Sequence, residues 1–297
     1  MDLLTIDSLR NEQIEEILDS GARWLSDLRA GRISSTPLRG RVVFNVFYEN
    51  STRTAMSFAT AAARLGAQPI SLSVEHSSVR KGETLEDTAR TLGAMRPDVL
   101  VIRHKDNGAP AIVAEIVDAP VINAGDGTNE HPTQALLDAA TIRDHFGGIE
   151  GLKIAICGDI RHSRVARSNA KLLPRLGAEV RLCGPAALLP GDSEATDCID
   201  DAVRGADVVM MLRVQRERLE DELGDAPGEY LARYGLTAAR LALASPQAVV
   251  MHPGPMNRGV EIDDAIADHP VRSLINRQVE HGVAVRMACL EMLARGG

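Results

Sequence analysis

Residues 44–54 read Phe44-Asn45-Val46-Phe47-Tyr48-Glu49-Asn50-Ser51-Thr52-Arg53-Thr54. The residues leading in, 41–47, are mostly apolar and β-branched or aromatic, so they predict a strand. Those leading out place Ala55, Phe58, Ala62 and Leu65 at helical spacing, and Gly66 suits a helix stop. Asn50 or Ser51 is the natural N-cap. The run Ser51-Thr52-Arg53-Thr54 then falls where backbone N–H groups lack helical partners and the helix dipole is positive. Three hydroxyls and a guanidinium add donors and a fixed cation, a combination that suits a phosphate. The plainer reading is a well-capped helix with a solvated arginine. A P-loop is excluded, because Gly-x4-Gly-Lys is absent.

Outward from this turn, strand and helix patterns alternate. Residues 8–28 predict a helix with Leu9, Ile14, Ile17, Leu18 and Leu25 on its apolar side. Strands are expected at 69–74, 98–102 and 121–123, helices at 84–95 and 111–117, and a polar loop at 75–82. A helix opens at Pro132, runs to about His145 and is closed by Gly147-Gly148, the natural bridge between halves. The second half predicts strands at 152–157, 179–183, 206–212 and 248–251, a helix ending near Leu176, and a last helix at 278–295. The fold class is therefore α/β, with a mostly parallel sheet covered on both faces. Ligands gather at the carboxyl ends of such strands, and Ser51 to Thr54, the loop from Glu75, Arg103, and the loop Gly125-Asp126-Gly127-Thr128 all follow strands.

Other polar residues sit at informative spacing. His131 and Gln134 are three apart at a helix start and can face one side; a merely polar helix start is the plainer reading. Arg213 and Gln215, two apart after a strand, can share a face, or can simply be its solvated end. Met251-His252-Pro253-Gly254-Pro255-Met256-Asn257-Arg258-Gly259 is a turn poor in N–H donors, so its carbonyls suit an amine or amide. Gly158 after a strand invites a dinucleotide reading, but Gly-x-Gly-x-x-Gly is missing.

Composition narrows the function classes. The chain has 297 residues, enough for about two domains. Its net charge of -8 and 3% aromatic content argue against nucleic acid or an anionic membrane as partner. An anionic ligand must then be drawn by local arginines and helix ends. Cys157, Cys183, Cys198 and Cys289 have no zinc spacing and no CxxC pairing, as expected of free thiols in a reducing compartment. The acidic N-terminus lacks a signal core, and no apolar run is long enough to span a bilayer, so a cytoplasmic location is expected.

Taken in order, these motifs resemble the aspartate carbamoyltransferase catalytic chains of the aspartate/ornithine carbamoyltransferase family over nearly the whole length. The matching pieces are residues 47–54, Ser77 to Lys81 before Gly82-Glu83-Thr84-Leu85, Arg103-His104, His131-Pro132-Thr133-Gln134, Arg213-Val214-Gln215-Arg216-Glu217-Arg218 and His252-Pro253-Gly254-Pro255. The Arg213 run is similar to the aspartate branch; the Ser-Met-Gly and His-Cys-Leu-Pro motifs of ornithine enzymes are absent.

The resemblance implies two doubly wound domains linked by two helices: a carbamoyl-phosphate domain at 1–130 plus 283–297, a linking helix at 131–148 and an aspartate domain at 149–282. It implies that Ser51, Thr52, Arg53 and Thr54 hold the phosphate of carbamoyl phosphate. Thr54, Arg103 and His131 would donate to its carbonyl oxygen. Gln134 and the turn Pro253, Gly254 and Pro255 would hold its NH2 group. Arg164, Arg213 and Gln215 would bind L-aspartate. Ser77 and Lys81 would reach in from a neighbouring copy of a homotrimer, with Lys81 also near the aspartate. No motif calls for a metal or an organic cofactor, and regulatory chains or a dihydroorotase as further partners stay open. The family's usual Arg and Glu are replaced by Ala55 and Ala59, an absent helix-surface ion pair worth a few tenths of a kcal/mol. The rival readings are a carbamoyltransferase for ornithine or a similar amine, a non-catalytic scaffold, and a nucleotide-dependent dehydrogenase.

Overall fold

The computed structural model describes residues 1–33, 35–73, 82–191, 194–214 and 228–295. Ser77, Lys81 and Gln215 lie outside the described residues. The chain divides into two compact units, residues 1–140 with 280–297 and residues 141–279.

In the first unit, α1 (Asn11–Arg29) precedes β1 (Val42–Phe47), α2 (Thr52–Arg64), β2 (Gln68–Ser73), α3 (Leu85–Ala94), β3 (Val99–His104), α4 (Ala109–Ala114), β4 (Val121–Asp126) and α5 (Pro132–Phe146). The strands form one sheet of order β2-β1-β3-β4, and every pairing is parallel. β3 and β4 are buried at every position, as strands covered on both faces must be. One face carries Phe44, Val46, Leu100, Ile102 and Val121, packed with Val113 of α4 and Ala89 of α3. α2 buries Thr54, Phe58, Ala61 and Ala62; of the expected apolar positions Phe58, Ala62 and Leu65 are buried, whereas Ala55 is half-buried and Thr54 takes its place. The N-terminus adds a short bridge, Leu3 beside Ile122.

The second unit repeats the plan with β5 (Lys153–Cys157), α6 (Arg164–Arg175), β6 (Glu179–Cys183), α7 (Ile199–Val203), β7 (Val208–Met211), α8 (Glu229–Tyr234), α9 (Ala238–Leu241), β8 (Val249–Met251) and α10 (Asp264–Ala267), and the last helix, α11 (Ile275–Arg295), starts in it and belongs to the first unit from residue 280 on. Its sheet has the order β6-β5-β7-β8, again parallel throughout. Val209, Met211, Val250, Ile199 and Ile262 belong to its core.

Several boundaries differ from the sequence reading. β4 continues to Asp126 and so absorbs the start of the expected loop. α4 starts and ends earlier than expected, with Pro110 in its first turn. α11 begins at Ile275, three residues before Gln278. Each shift lies at an element end, where pairing and caps rather than periodicity set the limit.

Candidate active site

The strand order of the first unit reverses between β1 and β3, and a crevice for ligands forms at the carboxyl ends of strands at such a switch point. Phe47, the last residue of β1, is in register with Arg103 near the end of β3. The segment after Phe47 leads into α2, and Ser51 occupies its N-cap position. Ser51 does not cap with its side chain. Its hydroxyl instead donates to Thr54 Oγ1 at 2.9 Å. Thr52 and Arg53 are exposed, whereas Thr54 is buried.

Arg103 is buried, and its guanidinium is held on two sides. Nη2 lies 2.6 Å from Glu49 Oε1, and Nη1 donates to the Ala124 carbonyl at 3.3 Å. Glu49 sits inside the first motif, yet nothing local to the sequence revealed this partnership across 54 positions. The neighbouring His104 packs against Tyr48 with the rings tilted and their centroids 4.7 Å apart. Burial pulls the His104 pKa below its ordinary value, in keeping with the Asp106 N–H that donates to its Nδ1 at 3.0 Å.

His131 is placed by the end of β4. The buried Asp126 carboxylate accepts from the N–H groups of Gly108 (2.7 Å) and Glu130 (3.1 Å) and from the amides of Asn123 (2.8 Å) and Asn129 (3.0 Å). Glu130 in turn accepts from Ile6 N–H at 2.8 Å. This network fixes the loop that delivers the buried His131 to the start of α5. One turn on, Gln134 Nε2 donates to the fully buried Asp138 Oδ1 at 3.0 Å. A carboxylate accepts only, so it takes the amide's NH2 end and leaves the Gln134 oxygen as the acceptor end. The i,i+4 spacing of Gln134 and Asp138 was a signal in the sequence that the reading passed over.

Beneath α2, Arg286 of α11 is buried; its Nη1 donates to Ser57 Oγ at 2.8 Å, and its guanidinium lies 5.1 Å from the centre of the Phe58 ring. Burial lowers its pKa to about 10.

The second unit has the same kind of switch point, between β5 and β7, with Cys157 in register with Met211. After β5, Asp159 accepts from His162 N–H at 3.1 Å, and Ser163 caps α6 by accepting from Ala166 N–H at 3.1 Å, which puts Arg164 at the first helical position. After β7, Leu212 and Val214 are buried and Arg213 between them is exposed. Gly158, with φ near +140°, closes against Leu212: a Cβ there would sit 2.9 Å from Leu212 Cβ. The glycine thus serves strand-end packing, which accounts for it without a nucleotide. Pro253 and Gly254 are half-buried and Pro255 is exposed.

Among the described residues no group of three or more His, Cys, Asp or Glu side chains is placed to hold a metal ion, and no helix is long and apolar enough to cross a membrane.

Comparison with known proteins gives one result throughout. The carbamoyl-P binding domain of aspartate/ornithine carbamoyltransferases matches residues 1–144, and their Asp/Orn binding domain matches residues 150–293. The aspartate carbamoyltransferase catalytic subunit of Granulibacter bethesdensis is 56% identical over 298 residues, covering 99% of this chain and 94% of the relative. That of Novosphingobium aromaticivorans is 53% identical over 304 residues, with 99% and 89% covered. Aspartate transcarbamoylase from Trypanosoma cruzi, solved in complex with N-(phosphonacetyl)-L-aspartic acid, is 33% identical with a TM-score of 0.89, covering 98% of this chain and 95% of that one. The same enzyme has been solved with carbamoyl phosphate, at the same identity and TM-score. On both halves of its length, the chain belongs to the aspartate/ornithine carbamoyltransferase family.

Proposed function

We infer that the protein transfers the carbamoyl group of carbamoyl phosphate to the amine of L-aspartate, giving N-carbamoyl-L-aspartate and phosphate in pyrimidine biosynthesis. Relatives sharing more than half of its residues are named aspartate carbamoyltransferases. The observation that carries the site assignment is the register of β1 with β3, which sets the start of α2 and Arg103 at one switch point.

Phosphate is already a good leaving group, so no covalent enzyme intermediate is needed. Ser51, Thr52, Arg53 and Thr54 hold the phosphate, and Arg53 with the helix start neutralises the departing dianion. Thr54, Arg103 and His131 donate to the carbonyl oxygen as the amine adds; one such donor is worth about 3 kcal/mol. His131 acts as a donor, and the leaving phosphate takes the amine proton. The side-chain oxygen of Gln134 accepts from the carbamoyl NH2 group, as do the carbonyls at Pro253 and Gly254 next to Pro255. Arg164, Arg213 and Gln215 bind the aspartate carboxylates. Residues 1–130 with 283–297 form the carbamoyl-phosphate domain, 131–148 the linking helix and 149–282 the aspartate domain.

Ser77 and Lys81 act in a neighbouring copy of a homotrimer, in the cytoplasm. Arg213 suits a dicarboxylate better than a cationic amine, which disfavours ornithine. The test is Arg53→Ala: turnover falls by orders of magnitude while the circular dichroism spectrum is kept. Near-normal turnover removes the phosphate assignment. A panel of aspartate and ornithine with the purified protein checks the acceptor.

A further inference from the structure

We propose that the buried pair His252 and Glu261 is a positioning device that aims the carbonyls of Pro253 and Gly254 at the carbamoyl NH2 group. The proposal rests on the reading of those carbonyls given above.

Both side chains are sealed from solvent. Gly254 N–H donates to His252 Nδ1 at 2.8 Å, so that nitrogen carries no proton. The proton sits on Nε2, which faces Glu261 Oε1 at 3.2 Å. The same carboxylate oxygen accepts from Asn257 N–H. The turn is therefore tied at both ends to one atom, with Pro253 and Gly254 between the ties. Gly254 has φ near +64°, a backbone region that favours glycine. Outside the turn, His252 N–H donates to Gln278 Oε1 at 2.9 Å, and Asn257 Nδ2 donates to the Val214 carbonyl at 2.8 Å, next to Arg213.

Packing alone gives no reason for this carboxylate. Glu261 lies between the buried Val260 and Ile262, and its Oε2 is buried with no hydrogen-bond partner among the described residues. A half-satisfied buried carboxylate destabilises a core that an apolar side chain would fill at lower cost. What the carboxylate supplies is an acceptor that fixes imidazole tautomer and turn together, as outer-shell carboxylates do for working histidines.

The test compares three ligands: carbamoyl phosphate by its KM, and acetyl phosphate and inorganic phosphate as competitive inhibitors. Acetyl phosphate has a methyl group where carbamoyl phosphate has NH2, so it does not report on the carbonyls. In Glu261→Gln the carbamoyl phosphate KM is expected to rise about tenfold, with the two inhibition constants held within about twofold. His252→Asn keeps a side-chain acceptor for Gly254 N–H but no longer reaches Glu261, and the same loss of selectivity is expected. Should Glu261→Gln fail to fold, His252→Asn carries the comparison. Unchanged selectivity in the folded variants, or equal weakening of all three ligands, overturns the proposal. Arg53→Ala serves as the control: if phosphate inhibition survives there, the site reading itself fails, independently of this pair.

Discussion

Arg103 shows how little of a side chain's setting is visible locally. Its place after a strand was legible; its bond to Glu49 was not, because the two meet only when β1 and β3 pair. If Arg103 donates to the developing oxyanion as proposed, Arg103→Ala is expected to lower kcat at least a hundredfold, about 3 kcal/mol. Steady-state kinetics on the folded variant checks this. His104 beside it carries a pH prediction. Burial holds its folded pKa below the unfolded value of 6.5, so the unfolded state binds a proton that the native state refuses. The stability tied to this residue is present above that unfolded value and is lost as pH falls through the folded one. His104→Gln should flatten the drop in urea midpoint between about pH 7 and about pH 5 relative to the parent protein.

Helix α2 is the element on which the phosphate reading depends, and its support comes from elsewhere in the chain. Arg286 reaches it from α11 through Ser57 and Phe58. The same guanidinium is a charge partner of Asp138 in α5, which orients Gln134. Arg286→Met should cost about 3 kcal/mol in urea unfolding, because a buried carboxylate loses compensation. A double-mutant cycle with Asp138→Asn should show coupling between the two. In the second unit the ends of β5 and β6 approach so closely that a Cβ on Gly184 would lie 2.1 Å from the Gly158 carbonyl oxygen. Gly184→Ala should therefore destabilise by about 1–3 kcal/mol, seen as a lower urea midpoint with an unchanged slope.

For the whole molecule, the proposed sharing of sites between copies has a direct test. Chains carrying Arg53→Ala and chains carrying Lys81→Ala, each inactive alone, should regain part of the activity when mixed and reassembled. No recovery would argue that each chain holds a complete site. Native mass measurement checks the trimer.

The alternation of strands and helices, the apolar faces, the helix starting at Ser51-Thr52 and the residue types of the site were all written along the chain, because periodicity, caps and turn residues act over a few positions. Strand order, the pairing of Phe47 with Arg103, the Asp126 network and the His252–Glu261 pair came only with the folded molecule. Strands buried on both faces are apolar at nearly every position, so their sequences carry no mark of which neighbour they choose or in what register. That choice is made by packing between residues far apart in the chain, and in each unit it sets a switch point, followed by the start of α2 and Arg103 in the first and by Arg164 and Arg213 in the second.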